Sequence, residues 1–306
     1  MRTAALVCVA LFACGGGARR PVTAQPVATK ITTTGDRIMA LLPEGAQLVI
    51  EIDLARLRQN PVVGKLVAEV LTGPALPGIA GEVPLSPLAR ADMLVLASYG
   101  IGTSSAATVT ILATAESVPN SVPLGEGLVG LGPEPWTAQL EARAALIGSS
   151  LDVNIVASKD LLALRDHAMP PGAPGAALRV TARLPFDARV ALARQTGLDA
   201  PPAQISIWGD VVDDLAIIVD ADAVDPGDKK TNQPTKRLES GMRTILAGLA
   251  AEPALQALGL PSSLSGARVV AKGTWVRTII AVGPSHLQRV VKRAATMLEA
   301  RGQPTS

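Results

Sequence analysis

Aromatic side chains are scarce in this chain of 306 residues, at 2% of the total. The tryptophans are Trp136, Trp208 and Trp275, and Tyr99 is the single tyrosine. Proteins that bind bases or sugars usually stack them on such rings, so the composition argues against those ligands. We expect Ala, Val and Leu to build the core, and Trp208 and Trp275 to hold strand faces together rather than to form a ligand platform.

The chain also lacks an excess of charge of either sign. Its 28 Lys and Arg residues nearly cancel its 26 Asp and Glu residues, which leaves a formal net charge of +2. Nucleic-acid binding is therefore disfavoured, because it requires a concentrated basic surface that displaces phosphate counterions. The one basic stretch, residues 227–237, is interpreted as a solvated turn before a helix.

The N-terminus has the features of an export signal. Arg2 precedes an apolar run of ten residues from Ala4 to Ala13. A membrane-spanning helix needs about 20 apolar residues, so this run is too short to span a bilayer but suits a signal peptide. Later apolar runs are interrupted by charge, Gly or Pro, so no second membrane segment is predicted. We predict that residues 1–13 are the signal peptide.

The residues that end this run, Leu11-Phe12-Ala13-Cys14, resemble the lipobox of bacterial lipoproteins. The resemblance implies that the chain is cut before Cys14 and that the thiol carries diacylglycerol, with acyl chains such as palmitate. Membrane lipid would then be a partner of the protein through Cys14. In this family, the absence of Asp after the cysteine favours the outer membrane, with the body of the protein facing the periplasm.

Two further features fit a lipid anchor at the N-terminus. In residues 14–40, Cys14 is followed by three glycines and then by a stretch with Pro and Thr, which is typical of a flexible tether. The only other cysteine, Cys8, lies in the segment to be removed. The mature chain would therefore hold one acylated cysteine and form no internal disulfide.

Beyond the tether, strands and helices alternate in a regular pattern. Runs with alternating apolar residues predict strands, and apolar residues at helical spacing predict helices. The predicted strands are residues 47–53, 92–100, 107–115, 142–148, 152–158, 177–185, 204–210, 214–222, 267–273 and 275–283, and the predicted helices are residues 60–71, 158–169, 186–195, 235–259 and 284–302.

These segments indicate two similar halves, residues 41–174 and 175–302. Each half has the order strand, helix, hairpin, insert, hairpin and helix, which indicates an internal duplication. The alternation leaves one polar face per strand, so we expect antiparallel sheets with helices on one face. The predicted fold is α+β, with two similar subdomains.

The start of the first half resembles a group of exported bacterial proteins of unknown function. In that group a "LP-x-x-A" phrase precedes the first strand, which runs into an "x-D-L" helix start. The residues that carry the likeness are Leu42, Pro43, Ala46, Asp53 and Leu54. The resemblance implies no activity.

A glycine-rich stretch matches the spacing of a dinucleotide-binding loop. Gly125, Gly127 and Gly130 have the G-x-G-x-x-G spacing, but this loop requires a strand before it and a helix after it. Residues 117–124 do not predict a strand, and Pro133 and Pro135 disfavour a helix. We interpret the stretch as a glycine-rich loop and expect no cofactor.

An acidic stretch contains several carboxylates, as a calcium-binding loop does. Asp220, Asp222, Asp225 and Asp228 lie close together, but an EF-hand needs glycine at position 6 and Glu at position 12. Position 6 is an Asp and position 12 is Thr231. We interpret the stretch as a solvated turn at a strand end and predict no metal site, leaving a weak calcium site of another type as the alternative.

No set of residues forms a catalytic motif in the sequence. His167 and His286 lack cysteines or carboxylates at zinc spacing, and we expect His167 to complement a helix C-terminus. There is no G-x-S-x-G or S-x-x-K motif, although a dispersed triad needs neither. Asp210, Asp213 and Asp214 are interpreted as a hairpin turn. The sequence thus predicts no catalytic residues.

Three functions stay open at this point. The first is a lipid-anchored envelope protein with a non-enzymatic binding or structural role, whose partner is an unknown envelope protein. The second is a small-ligand binding protein with its site between the two subdomains, where pockets often form. The third is a hydrolase whose catalytic residues are dispersed along the chain.

Overall fold

Among the residues that the structure describes, ten strands form one antiparallel sheet at the centre of the molecule, and two strands form a separate short pair. The structure is a computed structural model that describes residues 27–28, 33–72, 85–149, 154–155, 159–223 and 233–302. The strands are β1 (Val27–Ala28), β2 (Leu48–Asp53), β3 (Met93–Tyr99), β4 (Ala107–Ala113), β5 (Val122–Gly125), β6 (Leu128–Leu131), β7 (Asn154–Ile155), β8 (Leu178–Arg183), β9 (Gln204–Val211), β10 (Leu215–Asp222), β11 (Arg268–Lys272) and β12 (Trp275–Val282).

The helices pack around this sheet, so the predicted α+β class is confirmed. The helix predicted over residues 235–259 is divided at Glu252, because Pro253 cannot continue the hydrogen-bonding of the preceding helix. The helices are α1 (Thr34–Leu41), α2 (Leu54–Gln59), α3 (Gly64–Thr72), α4 (Leu85–Leu88), α5 (Glu134–Ser149), α6 (Lys159–Arg165), α7 (Phe186–Thr196), α8 (Gln233–Ala251), α9 (Pro253–Leu258), α10 (Pro261–Ser265) and α11 (Pro284–Gly302).

The two halves of the chain share the large sheet. Its strand order is β11-β12-β10-β9-β8-β2-β3-β4-β6-β5. In the middle, β2 and β8 pair antiparallel, with Ile50 opposite Val180. Outward from this pair the order is the same on both sides: β2-β3-β4-β6-β5 in the first half and β8-β9-β10-β12-β11 in the second. The halves are therefore alike in topology, while their common origin stays a prediction.

Both faces of the sheet are covered in the first half. We call the side to which Val49 and Glu51 of β2 point the front face, and the side of Leu48 and Ile50 the back face. On the front, α1, α5 and α6 form a core with β2, β3, β4 and the β5–β6 hairpin. On the back, α2, α3, α4 and α7 form a second core that also includes β8 and β9.

The second half carries its helices mainly on the back face. There α8 and α10 pack on β10, β11 and β12 through Leu238, Leu246 and Leu264. On the front, the chain between α6 and β8 packs on Trp208 and Ile218. This half thus follows the prediction of helices on one face, whereas the first half has helices on both.

The predicted tether ends earlier than expected. Helix α1 occupies residues 34–41, inside the range 14–40 that the sequence predicts as flexible. Thr33 caps it: its hydroxyl accepts from the Asp36 N–H at 3.1 Å, and the Asp36 carboxylate accepts from the Thr33 N–H at 3.0 Å. Ile38 and Leu41 are fully buried. Residues 14–26 and 29–32 lie outside the described residues.

Helix α5 replaces a predicted strand. Residues 142–148 were expected to pair with residues 152–158, but they form the second half of α5, and β7 pairs with β1 instead. Pro135 lies in the first turn of α5, where a proline costs no helical hydrogen bond. Leu140, Ala144 and Ile147 follow helical spacing and pack on the front-face core.

Candidate functional site

The residues predicted to carry the lipid anchor are outside the part of the chain that the structure describes. Neither Cys14 nor the signal peptide is described. The same holds for Asp225 and Asp228 of the acidic stretch. Among the described residues, no helix is both long and apolar enough to cross a membrane.

The glycine-rich stretch forms a hairpin. Gly125 and Gly127 have positive φ angles of 82° and 74° and lie at the turn between β5 and β6. Gly130 lies within β6, where a side chain would collide with Leu140 and Leu124. The glycines therefore serve a tight turn and close packing, and no helix N-terminus follows the turn to receive a pyrophosphate.

Among the described residues, the aspartates of the two acidic stretches do not surround a common site. Asp210 is buried and accepts two hydrogen bonds from Arg56, at 2.7 and 2.6 Å. Asp213 and Asp214 lie in the β9–β10 turn, as predicted. Asp222 is also buried, and its carboxylate accepts from the Thr274 hydroxyl at 3.0 Å. In the described ranges no three Asp, Glu, His or Cys side chains are placed to hold a metal ion.

Asp220 is the centre of a polar cluster on β10 and β12. It is 1% exposed and accepts from the guanidinium of Arg277 at 2.7 and 2.6 Å. This hydrogen bonding raises the pKa of Arg277 above its ordinary value. Nδ1 of His167 lies 2.8 Å from the same carboxylate, and the imidazole stacks on Trp275 with the ring centres 3.9 Å apart.

This cluster corrects the role predicted for His167. Its side chain contacts Asp220 rather than the C-terminus of α6, because the chain after α6 crosses the front of β10. No local pattern in the sequence indicates this contact, since Asp220 and Arg277 are brought together by the pairing of β10 with β12. Trp208 is buried and donates to the Gly175 carbonyl oxygen at 2.9 Å, in the structural role expected for it.

A second polar cluster joins helices α1 and α6 to β2. Arg165 donates to both oxygens of Glu51, at 2.6 and 2.5 Å, and to Asp36 at 2.8 Å. Burial would lower the pKa of Arg165, but the hydrogen bonds to Glu51 and Asp36 and the negative charge of Glu51 raise it. Gly35 allows this close approach, because a Cβ there would lie 2.7 Å from the guanidinium. All three charges are satisfied within the cluster, so it serves stability.

The structure also pairs the second histidine, His286, with a serine. Its Nε2 lies 2.6 Å from the Gly259 carbonyl oxygen, which can only accept, so Nε2 carries the hydrogen. Nδ1 is then the acceptor for the Ser263 hydroxyl, at 3.2 Å. Ser263 and His286 are 23 residues apart, and their contact depends on how α10 and α11 meet.

Ser263 also lines a shallow groove of about 330 Å³ at the edge of the sheet. Arg268 supplies a cation at this groove, and Ile279 and Ala281 of β12 supply apolar surface. The remaining lining residues are Ser262 and Gly266. The volume is at the lower end of the range for small-molecule sites.

The groove belongs to a larger surface on the front of the second half. On the front of the last two strands, Trp275 stacks on His167, and the six other side chains form a surface that we call the open face. Its residues are Arg268, Val270 and Lys272 of β11 and Arg277, Ile279 and Ala281 of β12.

Exposure shows that this surface is accessible. Val270 is 38% exposed although it is a large apolar side chain, and the Arg277 side chain is 40% exposed. Arg268, Lys272 and Ala281 are exposed as well. The corresponding strands of the first half, β5 and β6, have their front-face residues Leu124 and Leu128 buried.

Comparison with known proteins does not assign this chain to a family. No known family matches the chain, and no curated protein matches it. The crystal form I structure of TP0453 is similar over 84% of this chain and 96% of its own, with 8% sequence identity and a TM-score of 0.41. A likeness of this size carries no argument about function.

Proposed function

We propose that this protein is a lipid-anchored envelope protein that binds another envelope protein through its open face. Acylated Cys14 holds it to membrane lipid, at the outer membrane and facing the periplasm. The observation that carries the binding role is the open face, which exposes Val270 and Ala281 between cations on the front of the sheet. Exposed apolar surface bordered by polar residues is typical of an interaction site.

The open face favours this role over a ligand site between the two halves. A ligand site there needs a cleft, but β2 and β8 are hydrogen-bonded neighbours over Leu48–Ile52 and Leu178–Ala182. The side chains of these strands pack into cores that both halves share on the back face. The seam between the halves therefore gives no support to a ligand-binding protein.

Replacing Cys14 with serine tests the anchor. We expect the wild-type chain extracted from membranes to begin at Cys14 and to carry added acyl mass, and we expect the Cys14→Ser variant to lack both and to leave the membrane fraction. Intact-mass spectrometry of the two proteins measures this. Cys8→Ser is the matched control, since Cys8 lies in the predicted signal peptide and its replacement should change nothing. A wild-type chain with another N-terminus and no acyl mass would contradict the anchor.

One observation favours a second candidate function, a hydrolase. Ser263 and His286 have the contact of a nucleophile and its general base, and the Gly259 carbonyl fixes the tautomer that the base requires. In this candidate, the Ser263 hydroxyl proton passes to Nδ1 while Oγ attacks an ester carbonyl. The leaving alcohol takes that proton, and water then releases the acid from the acylated serine. Arg268 at the same groove would favour a substrate with negative charge.

Labelling with a fluorophosphonate tests this candidate. If Ser263 is activated, the wild-type protein gains the mass of the label on Ser263, and Ser263→Ala loses it completely. Ser262→Ala is the matched control, because Ser262 lines the same groove and has no histidine contact among the described residues. Peptide mapping after labelling measures the site. A wild-type protein that stays unlabelled, or that is labelled equally after Ser263→Ala, would exclude Ser263 as the nucleophile.

A further inference from the structure

We infer that the open face receives an amphipathic helix of a partner protein, with acidic residues beside its apolar stripe. This inference rests on the binding role proposed above and names the partner's chemistry. It follows from three features of the structure: the cover that the first half carries on the same face, the position of α11, and the charge of the open face.

In the first half, a helix of the chain itself covers the front of the sheet. Helix α5 follows the β5–β6 hairpin and packs on this face, with Leu140 fully buried. Trp136 of the same helix stacks on Tyr99 of β3, with ring centres 4.1 Å apart. A helix is therefore the element that this sheet arrangement accommodates on its front.

In the second half, the helix that corresponds to α5 packs on the back of the sheet. Helix α11 follows the β11–β12 hairpin, as α5 follows β5–β6, but its Leu287 packs with Val63 and Val282. Val282 points to the back of β12, because it alternates with Ala281 on the front. None of the described helices thus covers the front of β11 and β12 as α5 covers the front of its counterpart in the first half.

The charge of the open face indicates the charge of its partner. Arg268 and Lys272 are exposed and Arg277 is half-exposed. The Asp220 carboxylate beside Arg277 is buried and already accepts from Arg277 and His167. The surface therefore presents positive charge around Val270, and acidic side chains on the partner would complement it.

The spacing of two cations adds a geometric requirement. Arg268 and Lys272 lie four residues apart on one strand and on one face, which separates them by about 13 Å. A helix that lies along the strand spans nearly this distance with residues about eight positions apart, which stay on one side of the helix. The partner helix is thus expected to carry acidic residues at that separation.

Photo-crosslinking in the native cells tests the inference on the full, lipid-anchored chain. A photoreactive phenylalanine replaces Val270 in the open face. The matched control has the same replacement at Leu146, an exposed apolar residue of α5 in the first half. Mass spectrometry of the crosslinked peptides identifies the partner residue that Val270 contacts.

The expected result is a crosslink from position 270, not found from position 146, to the apolar stripe of an amphipathic helix with acidic flanking residues. Arg268→Glu combined with Lys272→Glu should reduce its yield at least ten-fold. The matched variant Arg289→Glu with Lys292→Glu, on exposed positions of α11, should leave the yield unchanged.

Other outcomes separate the inference from the function on which it rests. A crosslink from position 270 to a strand or loop of another envelope protein, or one that survives the charge reversal, would overturn the acidic helix but keep the binding role. A crosslink to phospholipid would show a membrane-facing surface instead and overturn both. A yield at position 270 no higher than at position 146 would contradict the binding role itself, and the inference with it.

Discussion

Replacing Arg165 with alanine is expected to lower the free energy of unfolding by about 3–5 kcal/mol. The guanidinium holds Glu51 and Asp36, and Glu51 is 2% exposed. In the variant, the Glu51 carboxylate would stay inside the front-face core without a cation and without water. Urea unfolding followed by circular dichroism measures the change.

The control is the exposed ion pair between Arg90 and Glu116, in which the Arg90 side chain is 77% exposed. Arg90→Ala should cost no more than about 1 kcal/mol, because water already solvates both charges. The double variant Arg165→Met with Glu51→Leu should recover much of the lost free energy of unfolding. It removes the buried charge of β2 together with its partner. An Arg165→Ala variant as stable as Arg90→Ala would contradict the buried ion cluster.

Replacing Leu140 with alanine is expected to lower the free energy of unfolding by about 2–5 kcal/mol. Leu140 is 0% exposed, and its methyl group lies against Gly130 of β6, where a Cβ would come within 2.8 Å. Truncation therefore leaves a cavity between α5 and the sheet that neighbouring side chains cannot fill without moving. The same unfolding measurement gives the size of the effect.

Leu146→Ala is the matched control on the same helix. Leu146 is 69% exposed, so its truncation should change the free energy of unfolding by at most about 0.5 kcal/mol. A large difference between the two variants would confirm that the inner side of α5 stabilises the front of the first half. Equal effects would mean that α5 does not cover the sheet as described.

These two predictions bear on the function because both concern the front of the first half. There Arg165 neutralises Glu51, and α5 covers the apolar residues of the sheet. On the front of β11 and β12, Asp220 neutralises Arg277, but none of the described helices covers the strands, and Arg268, Val270 and Lys272 are exposed. This difference between two halves of equal strand order is what makes the open face a candidate for binding.

Local sequence patterns predicted most of the strands. The hairpins of β3 with β4, β9 with β10, and β11 with β12 are where the alternation of apolar residues puts them. The pattern was wrong for residues 142–148, since a short apolar run can alternate by chance, and only the wider window from Trp136 to Ile147 has helical spacing. Strands β5 and β6 were not predicted, because Pro123, Gly125 and Gly130 interrupt these short segments.

Polar residues on strands misled the prediction in one specific way. Glu51 and Asp53 suggested that one side of β2 faces solvent, yet Val49 and Glu51 are buried on that side. The carboxylate is tolerated there because Arg165, 114 residues away, neutralises it. A pattern of alternation cannot reveal such a partner, so the prediction of helices on one face missed the cover on the front of the first half.

The sequence by itself predicted the α+β class, most strands of the large sheet and two halves of similar order, because each depends on neighbouring residues along the chain. Lipid attachment at Cys14 rests on the sequence alone and stays a prediction. Only the tertiary structure decided that β2 and β8 join the halves into one sheet, that Asp220 meets both Arg277 and His167, and that Ser263 meets His286. These contacts depend on pairing between segments far apart in the chain. The same long-range packing sends α11 away from the front of β11 and β12, and so leaves the open face exposed.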